Sequence, residues 1–495
     1  MSQRRSRSND DLEAEGAARD FLHDIGRAAE SLLASLEERR SCLIVTHYDA
    51  DGVCAAAALA RTLCQLDTPF HIRVVDQLDE TVIGWVKRNP HYKCVVMTDL
   101  GSGLLSRLEA ELSDREVFVV DHHIPEPEAE GGAVREVNPH RFGIDGSTQA
   151  SSSTLAYLLV RSALPEEAPT LSPLAVVGAL GDRQDVGRHF SLTGLNEIAV
   201  RDGVEHGYIK RELGLRLFGL RSRPLLKCLE YTFDPYLPGL SGDEAACYNF
   251  LKSIGVKPSE GGKLRYFKSL SREEVRRLAT ELIKYSMSVG LSVRESERIF
   301  GTTYLLPREG EDSPLYDARE FAAILNACGR VERHDLALLL AMGVRGRVLS
   351  DAMREVEGYR RALSSAINEV RNSRERYVSE LDHLVVVDLS GRVSSRMLAA
   401  VASILASSKV WGITKPLMAI TKVGEDALKV SLRKPISIDA KYRAVNLGQV
   451  MRSVADELGG VGGGHENAAG GTFSADLKSE LVRAVEAEIS RAISA

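Results

Sequence analysis

The chain has 495 residues, and 44% of them are hydrophobic, which is enough for about three domains with cores of their own. It carries 63 basic and 69 acidic residues, and the net charge of −6 excludes a protein that binds nucleic acid through an overall basic field. No run approaches the roughly 18 apolar residues of a membrane span, and the first residues lack a signal peptide, so we expect a cytoplasmic protein without membrane contact. The seven cysteines include no CxxC pair and predict reduced core residues.

The first region, 1–38, combines a tail and a helix. Residues 1–16 are polar and predict a disordered tail. From Ala17 to Leu36 apolar residues recur every three or four positions, which predicts an amphipathic helix.

Residues 39–203 alternate short apolar runs with helical patterns. Runs that are apolar on both faces are typical of a parallel sheet covered by helices on both sides, and we predict such an α/β domain here. Ligands of these domains bind beyond the carboxyl ends of the strands. The predicted strands are SCLIVT (41–46), HIRVV (71–75), KCVVMT (93–98) and EVFVV (116–120).

The rest of the chain is predicted in three parts. Region 204–345 is helical or mixed, and 346–380 forms one long connecting helix. Region 381–495 alternates strands and helices and predicts a second, smaller α/β domain. Its strand candidates are 384–389, 410–414 (VWGIT), 417–421, 428–433 and 471–475, and its helix candidates are 394–406, 444–457 and 477–493.

Ionisable residues follow the predicted strands of the first domain. A single Asp after a strand is most often a helix cap, and a single His is usually a satisfied polar group. Several carboxylates at one sheet edge repel one another, however, unless a cation neutralises them. Imidazole and carboxylate ligands suit Mn²⁺, Mg²⁺, Fe²⁺ or Zn²⁺, and the ligand number allows two ions that share a carboxylate. The residues are His47, Asp49 and Asp51 in THYDADG, Asp99 in TDLGSG, Asp121, His122 and His123 in VFVVDHHIP, and Asp182 in GALGD.

These four motifs, in this order, resemble those of the DHH phosphoesterase superfamily. The glycine-rich segment GGVGGGHENAAGG (459–471) resembles the GGGH motif of the DHHA1 domain, which accompanies one DHH subfamily. Two intervening segments, RPLLKCLEYTFDPYLPGLSG and YDAREFAAILNACGR, are similar to archaeal RecJ-like exonucleases, including the nuclease that associates with the GINS replication complex. The resemblance implies a DHH domain and a DHHA1 domain, joined by the middle region and the connecting helix.

The resemblance also implies roles for the motif residues. Asp99 would bridge two divalent ions, for which Mn²⁺ is our first choice and Mg²⁺ the alternative. His47 and Asp49 would complete one site, and Asp51, His122 and Asp182 the other. His123 would face the scissile phosphate, and Asp121 would orient a ligand histidine. All of Asp49, Asp51, Asp99, His122, His123 and Asp182 would therefore take part in catalysis.

Further residues are candidates for substrate binding. Gly462, Gly463, Gly464 and His465, followed by a helix start, would cradle a phosphate or sugar, although the same glycines suit a flexible loop. Arg433 resembles the family's Ser-x-Arg strand, and its alternative is a surface arginine. His140, in NPHRFG, either shapes the site or belongs to an Asn-Pro turn. The basic segments 216–227 and 360–376 either line a nucleic-acid groove or form solvated helix faces.

Three functions are compatible with these patterns. The first is a two-metal exonuclease that digests single-stranded DNA in the 5′→3′ direction during archaeal DNA replication or repair. The second is a 3′→5′ exonuclease acting on single-stranded or short RNA. The third is a scaffold that binds GINS in the replicative helicase and keeps residual nuclease activity. Retention of Asp49, Asp51, Asp99, His122, His123 and Asp182 favours an active enzyme.

Overall fold

The computed structural model describes residues 9–39, 41–127, 134–407 and 411–494. These residues form two compact units, and each unit takes two separate stretches of the chain. The first unit contains the residues up to Gly214 together with Phe300–Val356, and the second contains Leu215–Ile299 together with those from Glu357 onward.

The first unit is built on a sheet of five parallel strands in the order β2-β1-β3-β4-β5. Four of the strands are those that the sequence predicts, and the fifth was not predicted. The parallel sheet confirms the predicted α/β class. The strands are β1 Cys42–His47, β2 Phe70–Val75, β3 Cys94–Thr98, β4 Glu116–Val120 and β5 Val134–Val137.

Helices cover both faces of this sheet. On one face α3 and α4 pack on a core that includes Val45, Met97 and Val119. On the other face α1, α2 and α5 enclose a small apolar cavity with Ile44 and Val96 of the sheet. The helices of this unit are α1 Asn9–Arg39, α2 Ala50–Gln65, α3 Glu80–Lys87, α4 Leu105–Glu111, α5 Ser152–Ala163, α6 Ser172–Gly181, α7 Asn196–Glu205, α12 Ala318–Arg330 and α13 His334–Ala341. A two-stranded ribbon joins β6 Lys210–Leu215 to β9 Phe300–Leu305.

The second unit contains a six-stranded mixed sheet in the order β10-β11-β12-β13-β15-β14. Only β11 and β12 are parallel. Helices α17 and α18 pack on a core that includes Val430, Leu432 and Met451, and α16 packs on β12 and β13. The strands are β10 Val378–Glu380, β11 Val385–Asp388, β12 Leu417–Val423, β13 Ala427–Arg433, β14 Val461–Gly464 and β15 Ala468–Ser474, and the helices are α15 Arg374–Tyr377, α16 Ser395–Ala406, α17 Leu447–Leu458 and α18 Lys478–Ser494.

Residues 215–299 form a mainly helical part of the second unit with a separate apolar core. Its elements are α8 Leu225–Glu230, α9 Glu244–Ser253, α10 Arg272–Ser288, α11 Val293–Glu297, and a short hairpin of β7 Ser259–Glu260 and β8 Lys263–Leu264. The predicted middle region of 204–345 is therefore divided between the two units, because 300–345 folds with the first one. Helix α14, Arg347–Asn372, includes residues of both units.

Three local predictions were wrong. The first helix begins at Asn9, so the predicted disorder does not extend over 9–16. This stretch is rich in acidic residues, which favour the start of a helix. Residues 1–8 lie outside the described part. The connecting helix ends at Asn372, because 378–380 pair with β11 as a strand. Of VWGIT, the described residues 411–414 form no strand, since Gly412 has a φ of 62°, which interrupts extended backbone.

Candidate metal centre

The predicted ligands come together at one edge of the five-stranded sheet. Strands β1, β3 and β4 are neighbours and run parallel, so their carboxyl ends meet. His47 ends β1, Asp99 follows β3, and His122 lies two residues beyond β4. Asp182 reaches the same place from the end of α6, where its Oδ2 lies 3.1 Å from His122 Nε2.

Two groups of possible ligands share one carboxylate. In the first group, His47 Nδ1 lies 3.1 Å from Asp49 Oδ2 and 3.2 Å from Asp99 Oδ2. In the second group, His122 Nε2 lies 3.1 Å from Asp182 Oδ2 and 4.0 Å from Asp51 Oδ2. The other oxygen of Asp99, Oδ1, lies 3.3 Å from His122 Nε2. Asp99 thus presents one oxygen to each group, as a carboxylate that bridges two cations would.

His122 has the environment of a metal ligand. Its Nδ1 lies 2.7 Å from the carbonyl oxygen of Gly146, so the neutral ring that binds a metal carries its proton on Nδ1 and a lone pair on Nε2. In the metal-free protein, burial alone would lower the pKa of His122, but Asp99 and Asp182 raise it well above its usual value. That Nε2 is buried and has no hydrogen-bond partner, although carboxylate oxygens lie within 3.3 Å. A divalent cation between these atoms would satisfy the nitrogen and neutralise the carboxylates, so the donor set fits a metal.

Asp51 is fully buried and is held by a helix. The backbone N–H groups of Ser152 and Ser153, at the start of α5, donate to its two oxygens at 2.7 and 3.0 Å. Burial and the charge of Asp99 nevertheless raise the pKa of Asp51 to about 6. Burial and the charge of Asp51 likewise raise the pKa of Asp182 well above its usual value. Both carboxyls are therefore destabilised as anions until a cation compensates them.

Asp99 differs from these two carboxyls. Burial alone would raise its pKa, but His122 and His47 hold the pKa well below its usual range. Its backbone has a φ of 63°, in the left-handed region that residues other than glycine rarely adopt, and the Ser152 hydroxyl donates to Oδ1 at 3.1 Å. A strained backbone conformation at the shared carboxylate is typical of a functional position.

Asp121 orients His123. Its Oδ1 lies 2.7 Å from His123 Nδ1, and its Oδ2 accepts the N–H of Ser102 at 3.0 Å. Burial alone would lower the pKa of His123, but the bond to Asp121 raises it to about 9. The His123 side chain is about half exposed, at 49%. Asp121 thus orients His123, the histidine predicted to face the substrate. The groups beside Nδ1 of the predicted ligand His122 are instead Gly146 and Gln184.

The first motif also has an ordinary structural role. Asp49 Oδ1 accepts the N–H groups of Asp51 and Gly52 at 3.1 Å and caps α2, while its Oδ2 faces His47. The carboxylates of Asp49 and Asp99 also change the pKa of His47. Burial alone would lower this pKa, but the two carboxylates raise it well above its usual value. Helix capping and metal binding are therefore compatible in one side chain.

Several contributors to this site were not predicted from the sequence. Ser152 and Ser153 act at the start of α5, for which the run ASSST followed by an apolar helical pattern was an available signal. The buried Gln184 donates to the Gly146 carbonyl at 2.9 Å and accepts from Asn196 at 2.7 Å. Nothing in the sequence indicates this pairing, because it joins two loop residues, Gly146 and Gln184, to the first residue of α7, Asn196.

The glycine-rich segment of the second unit forms a hairpin. Strands β14 and β15 pair antiparallel, and no helix follows His465, in contrast to the prediction. The N–H groups of Leu447 and Gly448 at the start of α17 donate to the carbonyls of Glu466 and His465. The His465 side chain is exposed, and a side chain on Gly463 would meet nothing closer than 4.0 Å. The hairpin is therefore open at Gly463, whereas side chains on Gly462 and Gly464 would meet backbone carbonyl oxygens at 2.8 and 2.5 Å.

Arg433 is partly buried rather than a free surface residue. Its Nε donates to Ser403 at 3.1 Å, and its Nη1 donates to the carbonyls of Leu432 and Ala469 at 2.9 and 3.2 Å. Burial lowers the pKa of this guanidinium. Three bonds hold the side chain in one orientation, as a residue that positions an anion requires.

His140 and the basic segment 216–227 have mostly local contacts. In the first unit, the N–H of His140 donates to Asn138, and its buried Nε2 has no hydrogen-bond partner. In the second unit, Arg223 pairs with Glu357, and Lys227 pairs with Glu230 and Glu244. These two cations are neutralised within the fold, which weakens the interpretation of this segment as a nucleic-acid groove.

Three domain families match the chain. The DHH family N-terminal domain matches residues 41–181, the DHH-CID domain matches 217–300, and the DHHA1 domain matches 382–491. The chain therefore belongs to the DHH–DHHA1 subfamily of the DHH phosphoesterases, a class of metal-dependent hydrolases. Within the part of the chain that the structure describes, no helix has the length and apolar character needed to span a membrane.

Several known proteins are similar to this chain over most of its length. An uncharacterised protein from Methanocaldococcus jannaschii is 28% identical over 453 residues, which cover 90% of this chain and 92% of that protein. The crystal structure of CDC45 from Entamoeba histolytica superposes with a TM-score of 0.65 at 12% identity and covers 94% of this chain and 99% of that chain. The crystal structure of RecJ in complex with Mn²⁺ from Thermus thermophilus gives a TM-score of 0.56 at 18% identity, and the match covers 94% of this chain and 55% of that chain. At these identities the two structures establish a common fold.

Proposed function

We propose that the chain is a two-metal-dependent exonuclease that hydrolyses phosphodiester bonds of single-stranded DNA from the 5′ end, in DNA replication or repair. The observation that carries this proposal is the pair of ligand groups joined through Asp99. The sequence resemblance to RecJ-like exonucleases supports the choice of substrate. The reaction class needs no side-chain nucleophile.

Each ligand group would hold one ion. His47, Asp49 and Asp99 would hold the first, and Asp51, His122 and Asp182, again with Asp99, would hold the second. Mn²⁺ is the proposed ion and Mg²⁺ the alternative, since mixed imidazole and carboxylate ligands suit Mn²⁺ and a RecJ structure with this fold contains it. Two such ions would acidify a water molecule near neutral pH and offset the charge that develops on the phosphate.

The side chains around the ions would prepare the substrate. With a pKa of about 9, His123 is mainly protonated at neutral pH, so it would neutralise the scissile phosphate or donate a proton to its leaving oxygen. Asp121 holds the ring in place for this task. His140 would shape the surroundings of the phosphate.

Residues of the second unit would bind the strand. Arg433 would pair with a phosphate, because its three bonds to the protein restrain the guanidinium before substrate arrives. Gly462, Gly463, Gly464 and His465 would bind the nucleic-acid end, with Gly463 on the open side of the hairpin. Such contacts need only a local positive surface, so a net charge of −6 is compatible with them.

A second candidate function is a scaffold that binds GINS in the replicative helicase and keeps residual nuclease activity. The observation in its favour is the fold shared with CDC45 over nearly the whole length of both chains. The two functions are compatible, because a nuclease that keeps its metal ligands can also bind a partner protein. A sedimentation experiment with purified GINS tests both functions. If the wild type binds GINS, and Asp99→Asn loses cleavage but still binds GINS, both the nuclease and the scaffold function are supported.

The central experiment uses DNA and RNA oligonucleotides labelled at either end and incubated with Mn²⁺. We expect mononucleotides from the 5′ end of DNA, and loss of cleavage by Asp99→Asn and Asp182→Ala. Asp114→Asn is the matched control, because this exposed carboxylate lies just before β4, at the opposite edge of the sheet. Full activity of Asp99→Asn would refute the metal assignment, and release of nucleotides from the 3′ end of RNA would favour the alternative enzyme.

A further inference from the structure

Helix α12 packs beside the metal centre and comes from a part of the chain that none of the three matched domains covers. It spans Ala318–Arg330, between the matched segments 217–300 and 382–491. In the first unit it packs on α2 and α6, the two helices that begin or end at predicted ligands. Helix α12 therefore lies against both ligand-bearing helices, α2 and α6.

One side chain of α12 joins the two ligand-bearing turns. Asn326 Oδ1 accepts the N–H of Ala50 at 2.9 Å, and Asn326 Nδ2 donates to the carbonyl of Gly181 at 3.4 Å. Ala50 lies between Asp49 and Asp51, and Gly181 immediately precedes Asp182. The carboxamide therefore bridges the first and the last motif of the site, which are about 130 residues apart along the chain.

The two turns approach each other very closely at this bridge. A Cβ on Gly181 would lie 2.6 Å from the Cβ of Ala50 and 3.6 Å from Asn326 Nδ2. One turn further along α12, a Cβ on Gly329 would lie 2.3 Å from the carbonyl oxygen of Tyr48. Glycine at both positions lets α12 and α6 contact the turn after β1 directly.

A further contact lies on the same face of the helix. Arg319 precedes Asn326 by seven residues, two helical turns, and forms an ion pair with Asp185, three residues after Asp182. Arg319, Asn326 and Gly329 thus hold both the loop after α6 and the turn after β1.

We propose that Asn326 is a positioning residue of the metal centre, which fixes the separation between Asp51 and Asp182 in the ligand group that they form with His122. The inference rests on the proposed two-metal function. Asn326 does not itself touch an ion, and acts by restraining the backbone beside the ligands. Groups that orient ligands in this way typically change metal affinity about 10- to 100-fold when they are removed.

The test measures Mn²⁺ binding without substrate. Asn326→Leu has nearly the same size as the wild-type side chain and loses both hydrogen bonds, and Asn326→Ala replaces it if the leucine variant shows no cooperative melting in EDTA. Asn89→Leu is the matched control, since Asn89 also donates to a backbone carbonyl, that of Trp85, but lies outside the ligand groups. Free Mn²⁺ is followed by electron paramagnetic resonance, and melting in EDTA is recorded for each protein.

We expect the wild type and Asn89→Leu to bind two Mn²⁺ ions, and Asn326→Leu to bind one of them at least about tenfold more weakly. The melting temperature of metal-free Asn326→Leu should fall no further than that of the control, which distinguishes positioning from a general loss of stability. Equal Mn²⁺ affinities in wild type and Asn326→Leu would overturn this inference and leave the proposed function intact. Absence of Mn²⁺ binding by the wild type would refute the metal centre itself.

Discussion

Replacing Asp51 by Asn should remove part of the pH dependence of stability in the metal-free protein. The pKa of Asp51 is raised in the folded protein from the ordinary 3.8 to about 6, first by burial and then by Asp99. The folded protein therefore binds a proton more tightly than the unfolded chain does. Its contribution to stability is fully present below pH 3.8 and is lost as the pH rises through about 6. This change of pKa corresponds to about 3 kcal/mol at neutral pH.

The assay compares wild type and Asp51→Asn by urea unfolding in EDTA, from about pH 4 to about pH 8. One tryptophan lies in each unit, Trp85 in the first and Trp411 in the second, so a Trp411→Phe background lets fluorescence report on the unit that contains the site. The amide of Asn also disturbs the bonds from Ser152 and Ser153, at a cost that is the same at each pH. Only the difference in slope between the two proteins carries the prediction.

We expect the unfolding free energy of the wild type to fall by about 2 kcal/mol more than that of Asp51→Asn over this range, because the carboxyl of the unfolded chain is already partly ionised at about pH 4. Asp114→Asn is the control and should keep the wild-type slope, because that carboxylate is exposed and its pKa is lowered by the hydrogen bond from Arg115. Equal slopes in wild type and Asp51→Asn would show that Asp51 is ionised in the metal-free fold. The argument for a cation from crowded carboxylates would then fail.

Two further variants test the space and the proton at this site. Gly178→Ala would place a Cβ 2.1 Å from Ser153 Oγ and 2.5 Å from Asp51 Oδ1. We therefore expect calorimetry to show weaker Mn²⁺ binding, and urea unfolding to show a loss of about 1–3 kcal/mol in the unfolding free energy. Unchanged values would contradict this expectation, and Gly103→Ala, with open space around it, is the control. His123→Gln should abolish the fall in cleavage rate that we expect at alkaline pH, because the hydrogen bond to Asp121 raises the pKa of His123 and the ring loses its proton only there. Persistence of the same fall in the variant would assign that proton to another group.

Much of the site could be predicted because it follows from strand order. Apolar runs identified β1, β3 and β4, and the rule that parallel strands end at one edge placed His47, Asp99 and His122 together. The motifs also indicated the chemistry, because they place Asp and His after several strands, where a structural role alone would not require these residue types. The fold class was predictable for the same reason, since parallel strands have a distinctive composition.

The glycine-rich hairpin and the anchoring of Arg433 could not be predicted in this way. Glycines are compatible with a loop, a helix start or a strand, and the pairing of β14 with β15 decides between them. The bonds of Arg433 to Ser403 and Ala469 join residues that are 30 and 36 positions away. Local patterns do not encode such distances, because the partners become neighbours only when the sheet has formed.

The amino-acid sequence by itself determined the family, the α/β class and the identity of the candidate ligands, because each depends on short motifs and on strand patterns read locally. Only the tertiary structure decided how those ligands are held. It divided 204–345 between two units, placed the α5 amides on Asp51, and brought Asn326 between Ala50 and Gly181. The physical reason is that buried backbone groups and carboxylates must find partners wherever packing puts them. The partners of Asp51 lie 101 and 102 residues away, and that of the Ala50 N–H lies 276 residues away.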